Sequence, residues 1–437
     1  MAKLLVPLPE LSEADPTVSG EGSLDPLGLA QVADRLAEHL LPGVRARMRR
    51  IRFLTASAVG ALAAEDLFDT VPADGVSSPS ICFEWLVLEA FERRRADGAP
   101  LEASGVPGSA KVRLVLAEGK RLAARNYLKS PNVFGFTGVY LPLARHLRVL
   151  DEYRRPAARI TDLTLAWEQD QGFVGFTDGT QKSPGGKLRS TLRSQILEGL
   201  LKSHCAANES TGLWGQLTES LHPLRAGPLE RVQLADWLTS ADEPVRAEVA
   251  RVIGAQHDGG DADLVALLLS ERRSEELYVR LRAISSYEAV ARLLDTAFRQ
   301  LRWISTSLGV VPLSANNLSD DSVLIEVARK LPGAMSAAGD DIAALDSTLL
   351  PGFVERLGRF EIRMSIPELI DTLMAHHETV QGNKVPNGKR AWFDRYGQGW
   401  VVRSLYRNPD SAVVSDDWFV HPYRLSSLQT FMKDLAQ

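Results

Sequence analysis

The residues best suited to chemistry gather near the C-terminus: His376, His377, Glu378, Lys384, Lys389, His421 and Arg424. Histidine and glutamate beside lysines can form a general acid–base centre or hold a metal ion. The enzyme such a set suggests is a nuclease using His376, His377, Glu378, Lys384 and His421. The spacing is not that of a zincin, where HExxH sets two histidines one helical turn apart with glutamate between them. Adjacent residues on a helix point about 100° apart, so His376 and His377 do not easily ligate one ion. No acid–acid–lysine set of the restriction-nuclease type accompanies them. The competing reading is structural histidines on a basic surface, with no catalytic residue, metal or cofactor.

Two other stretches invite a chemical reading. Arg251 and His257 fit the loose R-x4–6-H spacing of some helical ribonucleases, but that spacing is common by chance and here ends in the helix stop HDGGD. From Gly172 the chain reads GFVGFTDGTQKSPGGKLRSTLRSQILEGLL, a glycine-rich basic loop leading into a helix at 188–202. A P-loop requires GxxxxGK[ST], so that backbone amides and lysine cradle the phosphates while the hydroxyl reaches the metal. Here Leu188 follows Gly186-Lys187 and Gln181 stands where the first glycine belongs, which excludes that chemistry. Lys182, Lys187, Arg189 and Arg193 at a helix start can still meet backbone phosphates. The alternative is a surface loop. The sequence has no G-x-S-x-G elbow, dinucleotide fingerprint or CxxC pair. Trp85, Trp167, Trp237 and Trp303 lie on apolar helical faces and read as core.

The element that would position a nucleic-acid site is Asn126–Trp167. A short apolar helix over Lys120–Leu128 precedes a Ser-Pro-Asn turn, and a second helix carries Val139, Tyr140, Leu143, Ala144 and Leu147 on one face. A polar stretch ending in Ile160, Leu163 and Leu165 reads as an extended piece. Helix, turn, helix and extended piece outline a helix-turn-helix with a wing. Lys129, Arg145, Arg148, Arg154, Arg155 and Arg159 lie on or beside it, with Arg145 and Arg148 expected on the recognition helix.

Charge distribution supports the same region. The net charge over 437 residues is −5, yet residues 106–205 carry sixteen Lys/Arg against eight Asp/Glu, a net of +8. Residues 1–105 come to −6, 206–350 to −8 and 351–437 to +1. One basic segment between acidic ones suits a local polyanion site; the alternative is charge spread over a solvated face. A second basic run, Arg45 to Arg52 in VRARMRRIRF, reads as a solvated face with Met48, Ile51 and Leu54 inward. With 45% apolar and 24% charged residues the composition is that of a globular protein. Two cysteines, Cys82 and Cys205, argue against a disulfide framework. No window is long and apolar enough to span a membrane, and the start MAKLLVPLPELSEADP makes a poor secretory signal, so a cytoplasmic location is expected.

The rest of the chain is mainly helical. Asp25-Pro26 opens a helix stopped by Pro42-Gly43; apolar helices follow at Ala56–Leu67 and Ser80–Arg95, the latter started by SSPS. Gly98–Gly108 reads as a linker, and helical periodicity recurs from Leu229 to Leu331. Ile366–His377 and Leu425–Leu435 read as helices, Gly397–Tyr406 and Trp418–Val420 as strands. The expectation is a mainly α, multidomain protein: an N-terminal helical domain (1–105), a basic winged-helix-like domain (106–205), an acidic helical domain (206–345) and a small α+β domain (346–437).

DPLGLAQVADRLAEHLLPG followed by Arg47–Phe53 resembles the opening of uncharacterised bacterial proteins encoded near phage-defence and restriction genes. HHETVQGNK and HPYRLSSLQTFMKDL resemble their close, the whole covering about a tenth of the chain. The resemblance implies an accessory role in a multi-protein bacterial defence system and brings no catalytic residues with it. Together these readings give a DNA-binding, non-catalytic subunit that contacts double-stranded DNA through Lys129, Arg145, Arg148, Lys182, Lys187, Arg189 and Arg193. Its acidic helical domain would recruit a helicase, nuclease or ATPase. The alternatives are the C-terminal nuclease and a protein scaffold that uses the winged helix for docking.

Overall fold

The computed structural model describes residues 25–94, 105–207, 212–254, 259–271, 274–384 and 388–436. Its helices are α1 (Ala30–Leu40), α2 (Arg52–Ala63), α3 (Pro79–Arg93), α4 (Ser109–Ala117), α5 (Pro131–Phe134), α6 (Phe136–His146), α7 (Ile160–Gln171), α8 (Pro184–Lys202) and α9 (Leu213–Ser220). They continue with α10 (Pro228–Leu238), α11 (Pro244–Ile253), α12 (Asp261–Glu271), α13 (Glu275–Leu308), α14 (Ser322–Leu345), α15 (Leu350–Leu357) and α16 (Ile366–Gly382). An antiparallel hairpin of β1 (Phe393–Tyr396) and β2 (Gly399–Val402) precedes α17 (Leu425–Ala436). No described helix is long and apolar enough to cross a membrane.

The chain divides into two compact units, Met1–Leu36 with Tyr278–His421 and Ala37–Leu277 with Pro422–Gln437. The boundaries expected at 105 and 205 are not seams. Within the larger unit α2 packs on α6, α7 and α8, and α3 packs on α4, α8 and α9. The reason is the composition of α2, RFLTASAVGALA, which is apolar on every side and buried over its whole length. Such a helix needs partners all round. Gly60 lets α3 come close, since a Cβ there would sit 2.3 Å from the Phe83 ring. Further along, α7 packs on α10, and α17 closes over α10, α11 and α12. In the smaller unit α14 packs on α15 and α16, and Leu313 bridges the outer edge of β2 at Trp400.

Several expected elements form as read. Ser78 caps α3, α8 spans the expected 188–202, and α6 buries Val139, Tyr140, Leu143 and Ala144, with Leu147 buried just beyond its end. Others do not. Lys120–Leu128 is irregular, because Leu122 N–H donates to Glu89 Oε1 at 2.8 Å and the Asn126 side chain holds Ala123 N–H and the Arg121 carbonyl. The expected wing around Ile160, Leu163 and Leu165 is helical, the start of α7. Ile160 and Leu163 are buried while Leu165 is more open, at 38% exposure, a helical rather than a strand pattern. Trp418–Val420 forms no strand; Val420 N–H goes to Glu288. The linker expected at 98–108 lies mostly outside the described residues.

The one charge on α2 organises the larger unit. Arg52 and Glu230 pair at 2.8 Å with both side chains fully buried. Arg52 also donates to the carbonyls of Ser220 and Arg225, and Thr55 donates to Glu230 at 2.6 Å. Burial pushes the Glu230 carboxyl up and the Arg52 guanidinium down, so the hydrogen bonds around the pair are needed to keep it ionised. The solvated face expected for Arg45–Arg52 therefore fails at Arg52, although Met48, Ile51 and Leu54 do point inward. Removing one partner leaves a buried charge alone. Arg52→Met is expected to destabilise the protein by about 3–5 kcal/mol in denaturant unfolding, and Arg52→Met with Glu230→Leu to recover much of that loss. Equal losses in the single and double variants would contradict this.

Candidate nucleic-acid interface

The C-terminal histidine cluster clasps the backbone of residues 25–27. A Ser365/Glu368 capping box starts α16, whose far end presents His376, His377 and Gln381. His376 Nε2 lies 2.8 Å from the Leu27 carbonyl. His377 Nδ1 lies 2.8 Å from the Pro26 carbonyl, and its Nε2 accepts Trp392 N–H at 2.8 Å. Those two bonds fix the proton on Nδ1 and leave the ring neutral. Gln381 Nε2 donates to Pro26 at 3.1 Å and Lys384 Nζ to the Asp25 carbonyl at 2.7 Å. Phe360 and Phe298 cover the two imidazoles at 5.4 and 4.8 Å. The side chain of Asp25 meanwhile accepts from Leu29 and Ala30 N–H, so α1 starts at Ala30 rather than beside Pro26.

The other members of the expected site have different partners. His421 Nδ1 meets Glu288 Oε1 at 2.8 Å, Arg424 pairs with Glu38 at 2.6 Å, and Glu378 is exposed. Lys389 N–H donates to the Gln381 carbonyl. Among the described residues no group of three or more His, Cys, Asp or Glu is placed to hold a metal ion. The alternative catalytic set His376, His377, Glu378, Lys384 and His421 is thus not assembled: four of its members hold backbone or a buried carboxylate. Arg251 is exposed at the end of α11, and His257 lies outside the described residues.

The glycine-rich loop is closely built. Glu168 accepts Gly175 and Thr177 N–H at 2.8 Å each, and Ser183 Oγ accepts Gly186 N–H at 2.9 Å to cap α8. Gly186 is required, since a Cβ there would lie 2.0 Å from the Thr180 carbonyl. Loop, α8 and the end of α2 enclose an open cavity of about 550 Å³ lined by Glu65, Asp66, Asp178, Arg189 and Arg193. Its arginines are already engaged. Arg189 pairs with Glu65 at 2.9 Å and donates to the Thr177 carbonyl. Arg193 grips Asp66 bidentately at 2.5–3.0 Å, and that contact holds the Asp66 carboxyl below its usual range. Lys182 and Lys187, on either side of the cap, are exposed with no carboxylate partner among the described residues.

The same division runs through the central stretch. Arg155 pairs with Asp69, Arg159 with Asp242 while lying over Trp237, and Arg154 donates to Asn132. Lys129, Arg145 and Arg148 are exposed and have no acidic partner among the described residues. Arg148 is not on a recognition helix, because α6 ends at His146. Its φ of 58° forms the turn whose carbonyl accepts Arg159 N–H. Lys111 and Arg125 are equally exposed and have no acidic partner among the described residues, though no local motif singled them out from the other basic residues of 106–205.

Burial drives the His377 ring down to about 4, opposed in part by its bond to Pro26, and pushes His376 down as well. The unfolded ring protonates near its ordinary value of 6.5, whereas the folded one stays neutral until about pH 4. Between those values the unfolded chain binds the extra proton, so this contribution is complete above pH 6.5 and is lost as pH falls. The loss reaches about 3 kcal/mol by pH 4. His377→Phe should flatten the stability profile over that window in urea titrations; an unchanged slope would refute the assignment. Comparison with protein-family models, with characterised proteins and with solved structures finds no match for this chain.

Proposed function

We propose that this chain is a non-catalytic subunit that binds double-stranded DNA through the phosphate backbone. The observation that carries the reading is a division among the cations of 106–205. Several of its arginines are neutralised within the fold, as in Arg121–Glu89, Arg155–Asp69, Arg159–Asp242, Arg189–Glu65 and Arg193–Asp66. Lys129, Arg145 and Arg148 around α6, and Lys182 and Lys187 at the start of α8, stand exposed without an acidic partner among the described residues. Unpaired cations on a surface are what condensed phosphates attract, and their counterion release drives association. Arg189 and Arg193 leave the list of contacts nominated from sequence.

A wing and a recognition helix are not needed for this reading. With Arg148 in a turn and Arg145 in the last turn of α6, the contacts suit phosphates better than base edges, so binding is expected to be largely indifferent to sequence. The likeness of the chain's two ends to proteins encoded beside phage-defence genes supplies the proposed setting, a bacterial complex with a helicase, nuclease or ATPase. Exposed acids of the 206–345 stretch, including Glu219, Asp236, Asp263 and Glu275, are the residues proposed to meet that partner. A C-terminal nuclease is disfavoured by the buried, backbone-bound histidines.

Salt-dependent titration of a DNA duplex tests the reading. Arg145→Ala/Arg148→Ala should reduce the slope of log K against log salt by about 2, while Arg193→Ala should leave it nearly unchanged. Salt-insensitive binding, or equal slopes for all three proteins, would refute it.

A further inference from the structure

Between α6 and α7 the chain makes a short, closely bonded finger. The Arg148 carbonyl accepts Arg159 N–H at 2.9 Å, Val149 accepts Ala157 N–H at 3.1 Å, and Arg155 accepts Asp151 N–H at 3.0 Å. Leu150 and Pro156 face each other as an antiparallel bridge, and Val149 and Leu150 root the base in the core. At the tip one carboxylate oxygen of Asp151 accepts Tyr153 and Arg155 N–H at 2.8 Å each. Arg154 takes the left-handed conformation, with a φ of 65°, and donates to Asn132 Oδ1 at 2.7 Å. Arg155 ties the other side to Asp69.

What this bonding presents to solvent is Tyr153. Its side chain is 70% exposed and has no hydrogen-bond partner or ring neighbour among the described residues. The other well-exposed aromatic side chain, Tyr396, lies on β1, outside the basic segment. A ring held out by a fixed loop adds little to the core, but it can bind without the loop having to be ordered first. Exposed Glu152 stands next to it in the chain and Asp69 beside Arg155, so a phosphate is repelled from the tip. An uncharged flat face is not. At the base of the finger the charge is reversed, with Arg145 and Arg148 exposed.

A nucleobase is such a flat face, and stacking on it is open to any base. In continuous duplex both faces of each base are already covered by neighbours, whereas an unpaired base leaves one free. Tyr153 lies five residues beyond Arg148. That chain length spans at most about 17 Å, or about five base steps, so both residues can meet one DNA end. We propose that Tyr153 stacks on an unpaired base where duplex passes into single strand, while Arg145 and Arg148 hold the adjoining backbone. The inference rests on the DNA-binding reading above and specifies which DNA is preferred.

Anisotropy titration of the full chain compares a duplex carrying a short single-stranded overhang with the same duplex whose overhang is abasic. The two have equal charge, so counterion release cancels. The overhang with bases should bind at least about fivefold tighter. Tyr153→Ala should bind both equally, at the wild-type affinity for the abasic one, and Tyr153→Trp should keep the preference. 2-Aminopurine at the first unpaired position should be quenched by wild type and not by Tyr153→Ala. Equal wild-type affinity for the two overhangs, or a preference that survives Tyr153→Ala, would overturn the proposal and leave duplex binding standing. Failure to bind any of these DNAs would overturn both.

Discussion

Every helix begins with backbone N–H groups that have no partner inside the helix, and at several starts in this protein buried or half-buried carboxylates from distant segments accept them. Glu84 on α3 accepts Thr137 N–H and Oγ1 at the start of α6, and Tyr127 Oη beside it. Asp170 at the end of α7 accepts Leu229 and Glu230 N–H in the first turn of α10. Asp261 accepts Ser426 N–H at the start of α17, and Asp434 accepts Ile51 N–H just before α2. A carboxylate in a low-dielectric interior is costly to ionise, and several amides aimed at it are what offset that cost. Each such contact therefore stabilises two things together: an acid partly or wholly withdrawn from water and the position at which a helix starts. Losing either partner exposes the cost of the other.

This arrangement explains which elements the sequence showed. α3, α8 and α16 carry local caps, Ser78, Ser183 and Ser365 with Glu368, and their starts are visible in a few residues. The apolar periodicity of α6 is also local. By contrast, Gly135 lends α6 no side-chain cap, and its acceptor Glu84 lies 53 residues away from Thr137. Lys120–Leu128 carries helical composition but is drawn into a loop by Glu89, 33 residues from Leu122. No window of local pattern contains that competition. The stretch ending in Ile160, Leu163 and Leu165 carries too few apolar residues to separate strand from helix by period, and packing against α10 decides for helix.

The functional residues divide in the same way. Residue type identified histidine, lysine and arginine, but type cannot say whether a charge already has a partner. His376 and His377 hold the carbonyls of Leu27 and Pro26, some 350 residues earlier in the chain. Residues near the two ends of the described chain thus touch within each unit: residues 25–27 with α16 in one, Glu38 and Arg50 with Arg424 and Asp434 in the other. The charge count of +8 over 106–205 stands, yet acids outside that segment, Glu65, Asp66, Asp69 and Asp242 among them, neutralise part of it. What remains for a partner is the smaller set around α6 and at the start of α8.

Hydrogen–deuterium exchange of the full chain with and without a DNA duplex would locate that working surface directly. The account predicts slowed exchange in peptides covering 125–131, 143–149 and 180–188, with none at 376–384 or 418–424. Protection confined to α16 and the His421 segment would contradict it and return the C-terminal histidines to consideration as the site.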